Sequence, residues 1–188
     1  MKKLLFGVMV AAAVSASAAD DIKFGVVDML MLVRNHPNYD SNKELLTSTD
    51  KDYQKKLDSI KSEGETLQSE GKKLAEQIRN PMLADKAKAD MDKQLMEIQR
   101  KLIGIEQRYR SEAVRCRQDL QDLEGRLLKS TTEDLRKRIA KFAEEKGYDF
   151  ILDRSAVPFM KAEYDVTDGM LSAMNVDPKM AKGRDEGK

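Results

Sequence analysis

The 188-residue chain contains no tryptophan, one cysteine (Cys116), one histidine (His36) and four prolines, and only 5% of its residues are aromatic. A lone cysteine excludes an internal disulfide, so the fold must hold by packing. Few aromatics combined with 36% charged residues exclude a large globular core and favour an elongated helical architecture. Catalytic chemistry is equally short of material. His36 stands beside Pro37 in a turn and reads as a surface residue. Cys116 falls on a helix seam and reads as a buried, inert thiol. The carboxylates alternate with Lys and Arg along helix faces, without a metal-ligand cluster or a phosphate-binding glycine loop. No catalytic, cofactor-binding or metal-binding residue is assigned, no cofactor is expected, and the chain reads as something other than an enzyme.

Long apolar runs are also scarce. Residues 4–14 form one, preceded by Lys2 and Lys3 and followed by the small residues Ala16-Ser17-Ala18. That pattern is a secretory signal peptide over 1–18, cleaved near Ala18. The run is too short for a hydrocarbon core of about 30 Å, and no second one follows. The expected mature protein is therefore exported, periplasmic and not membrane-spanning, although transient proximity to a membrane is compatible with this. Cleavage removes two lysines and no acid, taking the formal net charge from +1 to −1. A nucleic-acid partner is not expected, because such affinity rests on a basic excess. The arginine cluster Arg108, Arg110, Arg115 and Arg117 is interleaved with Glu106, Glu112 and Asp119 and reads as a solvated helix face.

What the chain has is periodicity. From Tyr53 the apolar positions step by four and three through Leu57, Ile60, Gly64, Leu67, Gly71, Leu74 and Ile78, a heptad seam with glycine at two places. Asn80-Pro81 stops the helix. The pattern resumes at Met91, Leu95, Ile98, Leu102, Ile105 and Tyr109, slips by one residue to Ala113, and continues through Cys116, Leu120, Leu123 and Leu127. It loosens towards Thr131, Leu135, Ile139 and Phe142. Two such helices joined by a short break predict an antiparallel hairpin arm over 38–146 with its tip near 80–84. Helices over about 42–79 and 82–146 would be roughly 57 and 98 Å long, so the second must run past the first into a body. Interior glycine costs about 1 kcal/mol relative to alanine, which makes the seam thin and the arm pliable. Leu83 at the tip and Met96 and Ile103 beside the seam are either a widened core stripe or a methionine-containing contact surface that re-packs around apolar partners.

The chain ends change period. Ile22, Phe24 and Val26 alternate with Lys23 and Gly25 as in a half-buried strand, and residues 29–34 can form a short helix. After Gly147, a helix C-cap, Tyr148, Phe150 and Leu152 alternate with Asp149, Ile151 and Asp153. Residues 157–160 read as a third strand. Asp165 or Thr167 can cap a last helix carrying Met170, Leu171 and Met174. The tail 177–188, without apolar content from Lys182 on, is expected to be disordered. Two or three such short strands make no stable isolated sheet. The predicted body therefore comprises residues 19–37 and 147–176, completed by oligomerisation. The fold class is α+β, predominantly α: a small β-body bearing one long coiled-coil hairpin per subunit.

The order F-G-V-V-D-M-L-M-L-V-R-N-H-P-N-Y-D, long hairpin, K-G-Y-D-F-I-L-D-R-S-A-V and Y-D-V-T-D-G-M-L resembles the Skp (OmpH-like) family of periplasmic chaperones across essentially the whole mature chain. Val27-Asp28, the segment from Gly147-Tyr148-Asp149 to Asp153, and Asp165-Val166-Thr167-Asp168 carry the match. The resemblance implies a homotrimer whose strands build a small barrel. Its arms would hold unfolded outer-membrane proteins without ATP. Ile22, Phe24, Val26, Phe150, Ile151 and Leu152 are then the candidate oligomerisation residues, and Met82, Leu83, Met91, Met96 and Ile103 the candidate client-binding residues. Familiar members are markedly basic, whereas this mature chain is near neutral, so lipopolysaccharide binding is not carried over. The rival reading is a coiled-coil spacer or adaptor of the cell envelope, for which a well-filled seam of fixed length would be expected.

Overall fold

The computed structural model describes residues 22–183. The expected signal peptide and the last five residues lie outside that range. In chain order the elements are β1 (Phe24–Val27), α1 (Met29–Arg34), α2 (Tyr39–Ile78), α3 (Asp85–Lys146), β2 (Phe150–Asp153) and α4 (Thr167–Ala173), with 3-10 turns at Arg154–Ala156, Ala162–Tyr164 and Pro178–Met180. The protein is predominantly helical with a small β part, as the periodicity predicts.

Helices α2 and α3 form the arm. Their 40 and 62 residues correspond to about 60 and 93 Å. Between them, the backbone N–H of Met82 donates to the Asn80 side chain at 3.0 Å and that of Leu83 to the Asn80 carbonyl at 3.2 Å, closing the turn before Asp85. Every α2 seam position from Tyr53 to Ile78 is half-buried or buried, and Ile60 and Gly71 are buried, whereas the other residues of that stretch except Ala75 are exposed. Glycine at position 71 reflects a close approach: a Cβ there would lie 3.3 Å from Ile98 Cγ2 and 3.7 Å from Leu95 Cδ1. Gly64 faces Ile105 in the same way, at 3.4 Å. Where the α3 heptad slips, a strict repeat would put Glu112 on the seam. Glu112 is half-buried there and bonds Lys56 of α2 at 2.5 Å, so an ion pair replaces an apolar layer.

The last third of α3 enters the body. Val27, Leu32, Leu135, Phe142, Val166, Met170, Leu171, Met174 and Ala181 make one buried core from β1, α1, α3, α4 and the chain's final turn. Asp28 joins the two ends of the chain. Its carboxylate caps α1 by accepting from Met31 N at 2.9 Å, while its own N–H donates to Thr167 Oγ1 at 3.0 Å. Gly147 closes α3 in the left-handed region (φ 66°), where a side chain would be strained, and Tyr148 N bonds back to the Ala143 carbonyl at 2.9 Å. β1 and β2 pair in parallel, with Phe24 opposite Phe150 and Val26 opposite Leu152. Parallel strands need a long crossover, and here the crossover is the entire arm. Lys23 anchors the junction. Its N–H donates to Asp149 Oδ2 and its Nζ to the Lys146 carbonyl, both at 2.7 Å, with Nζ 4.2 Å from the Tyr148 ring centroid.

Three expectations are corrected. Residues 157–160 form no strand, and Phe159 stands 84% exposed between two 3-10 turns; Pro158 supplies no amide for a ladder. Within the tail, residues 177–183 are held against the body: Ala181 is buried, and Lys182 N bonds Asn35 Oδ1 at 2.9 Å. Nor is His36 a surface residue. It is 6% exposed, with Nε2 2.9 Å from Asp134 Oδ2 and Nδ1 accepting from Asn38 N at 3.1 Å. Because Nδ1 accepts, the proton of the neutral ring sits on Nε2 and points at the carboxylate.

Candidate functional site

The sequence candidates separate into an assembly face and an arm surface. On the body, Ile22, Phe24, Phe150 and Leu152 are 60, 43, 54 and 44% exposed. Phe24, Phe150 and Leu152 share one side of the strand pair, because register neighbours and every second residue face the same way. The Phe24 and Phe150 rings stack at 5.5 Å. Val26 belongs to this side by alternation but is 4% exposed, covered by the following segment whose Val166 N–H donates to its carbonyl at 2.9 Å. Ile151 lies on the opposite side and packs against the body core. Four of the six candidates thus present apolar surface outward, Ile151 is half-buried, and Val26 is buried within the subunit. β1 has β2 on one edge and a bridge to Asp165 on the other, whereas β2 has no strand on its far edge among the described residues.

On the arm, Met82, Met96 and Ile103 are 91, 52 and 57% exposed, while Leu83 and Met91 are half-buried. Met91 is half-buried as a seam position, Leu83 is half-buried as in a widened core stripe, and Met96 and Ile103 stand outside the core. Val114, Leu128 and Leu30 are exposed as well, and sequence reasoning missed them. Met96, Ile103, Val114 and Leu128 are spaced by 7, 11 and 14 residues. At 3.6 residues per turn, all four fall within about 40° on one side of α3, roughly 120° around from the seam. Helix α3 consequently has an apolar seam facing α2 and, on a second side, a sparse stripe of exposed aliphatic residues separated by polar ones such as Gln107, Arg110 and Gln121. The spacing was a usable signal. Val114 is masked in the sequence by its place beside Ala113, where the heptad slips.

At its body end the solvent-facing stripe opens into a groove of about 700 Å³ lined by Leu30, Val33, Leu128, Ile139, Ile151 and Leu152, among others. A second opening, about 570 Å³, lies mid-arm beside Gly64, Leu102, Ile105 and Tyr109. Around these surfaces the charges are largely neutralised in pairs. Arg108 bonds Glu63 across the hairpin, Arg110 bonds Glu106, and Arg115 lies 3.8 Å from Asp119. The hydrogen bond between them holds Glu112 below the usual carboxylate range and Lys56 above the usual lysine value. At the arm root, Arg138 first and His36 second hold the Asp134 carboxyl below its ordinary value. Among the described residues, no helix is long and apolar enough to cross a membrane, and no group of three His, Cys, Asp or Glu side chains could hold a metal ion.

The model of the family described as "Outer membrane protein (OmpH-like)" matches residues 23–174. The chain belongs to the OmpH-like family. The match runs from the start of the strand pair, through the whole arm, to the end of α4, so it covers every candidate residue of the body and arm except Ile22. Comparison with curated proteins gives no match. The family is consistent with a chaperone of outer-membrane proteins, and the OmpH-like match stops short of the turn at Pro178–Met180.

Proposed function

We propose that this OmpH-like protein is an ATP-independent periplasmic holdase that binds unfolded outer-membrane proteins between flexible helical arms and prevents their aggregation. The observation that carries this reading is the second apolar stripe of α3. Its members Met96, Ile103, Val114 and Leu128 are exposed along one side of a charged arm whose own seam already packs on α2, so they are free to contact another chain at several places. An unfolded β-barrel protein offers apolar side chains in any register. Aliphatic side chains with Met96 among them, and Met82 at the tip, suit such ligands, because contact is non-directional and methionine re-packs. The thin seam supports the same reading: with glycine at 64 and 71, the arm can bend to clients of different size.

The body supports assembly. Two four-residue strands with an open edge and stacked exposed phenylalanines are marginal alone, and further copies would cover them. The number three follows from the family resemblance. In the decisive experiment, purified mature protein is added at threefold subunit excess, without nucleotide, to a urea-denatured outer-membrane β-barrel protein on dilution. Suppressed light scattering is expected. Unchanged aggregation at that excess would remove the holdase reading and leave the envelope spacer.

A further inference from the structure

The arm is mounted on the body through a narrow corner. Residues 35–38 join α1 to α2, and α2 has no buried residue before Ile60. Its first two turns lie on α3 beside an open groove of about 310 Å³ lined by Tyr39, Asn42, Leu46, Leu127 and Thr131, among others. Helix packing alone thus fixes the start of α2 weakly. The corner itself is gripped from two sides. From α3, Asp134 meets the His36 ring, and Arg138 Nε donates to the same carboxylate oxygen at 2.6 Å.

From the other side comes the chain's last described segment. Asp177 caps its 3-10 turn by accepting from Lys179 N at 2.9 Å, and Ala181 enters the body core at 7% exposure. Lys182 then pairs with Asn35 in both directions: its N–H donates to Asn35 Oδ1 at 2.9 Å, and its carbonyl accepts from Asn35 Nδ2 at 3.0 Å. The same amide donates to the Met31 carbonyl at 2.8 Å, so Asn35 ends α1 and holds the segment at once. Lys182 Nζ reaches both carboxylate oxygens of Asp40, in the first turn of α2, at 2.7 Å, and lies 5.4 Å from the Tyr39 ring centroid. Gly183 (φ 87°) rests against Arg34, where a Cβ would come within 2.8 Å of Nη1.

We propose that residues 177–183 are a strap that locks the arm root: it fixes the direction in which α2 leaves the body, and its release lets the arm swing. The strap touches both sides of the corner, with Ala181 in the core behind it and Lys182 on α2 in front, and it supplies contacts where α2 lacks buried side chains. It also lies outside the stretch matched by the OmpH-like family, residues 23–174. The inference concerns the mounting of the arm and stands apart from what the arm holds.

Hydrogen–deuterium exchange followed by mass spectrometry tests it on three chains: full length, one ending at Gly183 and one ending at Val176. Deleting the strap is expected to raise exchange over 35–46 by about tenfold, with β1, β2, α4 and the arm beyond Ile60 unchanged, while the chain ending at Gly183 matches full length. Lys182→Ala, which keeps Ala181 in place, should raise exchange over the same residues by about two- to threefold, because its ion pair is exposed. Unchanged exchange over 35–46 in the chain ending at Val176 would overturn the proposal. So would a rise of equal size across β1, β2 and α4, since the segment would then be only another piece of core.

Discussion

Body and arm are built from the same chain on opposite principles. In the body, side chains from five elements converge, and the five largest fully buried ones, Val27, Leu32, Leu135, Met170 and Leu171, all lie there. Between residues 43 and 130 only Ile60, Gly71 and Cys116 are buried. The arm is held instead by a thin repeating seam and by surface ion pairs, each worth about 0–1 kcal/mol. A converging core gives one arrangement and defends it, because any displaced side chain leaves a void. A periodic seam spreads its stabilisation evenly, so the arm can bend at many places at small cost. The molecule thus concentrates its rigidity where copies would assemble and its pliability where clients would be gripped.

The contrast can be broken most directly in the body. Leu135→Ala empties a fully buried site and should cost about 3 kcal/mol, whereas Leu67→Ala, half-buried in the seam, should cost about 1 kcal/mol. Urea denaturation at one fixed protein concentration measures both, since assembly links stability to concentration. Equal losses would show that the arm has a core of its own. The assembly face comes next. Phe150→Asp places a charge in the stacked Phe24–Phe150 pair and should yield monomers in multi-angle light scattering; oligomers that persist would move the contact elsewhere.

On the arm, changing Met96, Ile103 and Val114 together to Ser should leave the urea midpoint within what surface changes cause, about 0.5 kcal/mol each. Holdase activity should nevertheless fall several-fold. A large stability loss with activity retained would mean that the stripe packs within the protein. Gly64→Ala should stabilise the arm by up to about 1 kcal/mol through helix propensity. Gly71→Ala should gain less, because its Cβ meets Ile98 Cγ2 at 3.3 Å; thermal unfolding compares the two.

The smallest effect is expected from acid. Asp134 has a lowered folded value, caused first by Arg138 and then by His36. Its contribution is therefore present above the unfolded carboxylate value of about 3.9 and is lost as pH falls through the lower folded value. Protection of the arm root, taken relative to intrinsic exchange, should therefore hold steady from neutral pH down and fall only below about pH 4, a fall that Asp134→Asn abolishes.

The sequence by itself determined the arm. The heptad from Tyr53 to Ile78, the stop at Asn80-Pro81 and the return through Met91 to Leu127 required only helix geometry, which is local and periodic. Gly147 and Asp28 were legible for the same reason, since caps are made with near neighbours. The exposed halves of the β segments could also be read from alternation. Which members of each set would be covered could not. Val26 is buried and Ile151 half-buried by packing that alternation does not mention. His36 owes its burial to Asp134, 98 residues away, and Ala181 enters a core whose other members start at Val27. The same holds for the solvent-facing stripe of α3: its spacing is written in the chain, but only the position of α2 decides which stripe becomes seam and which stays open. Local hydrogen bonding and periodicity are properties of a segment, whereas burial is a property of whatever comes to lie against it, and that was settled only when the hairpin brought the two ends of the chain together.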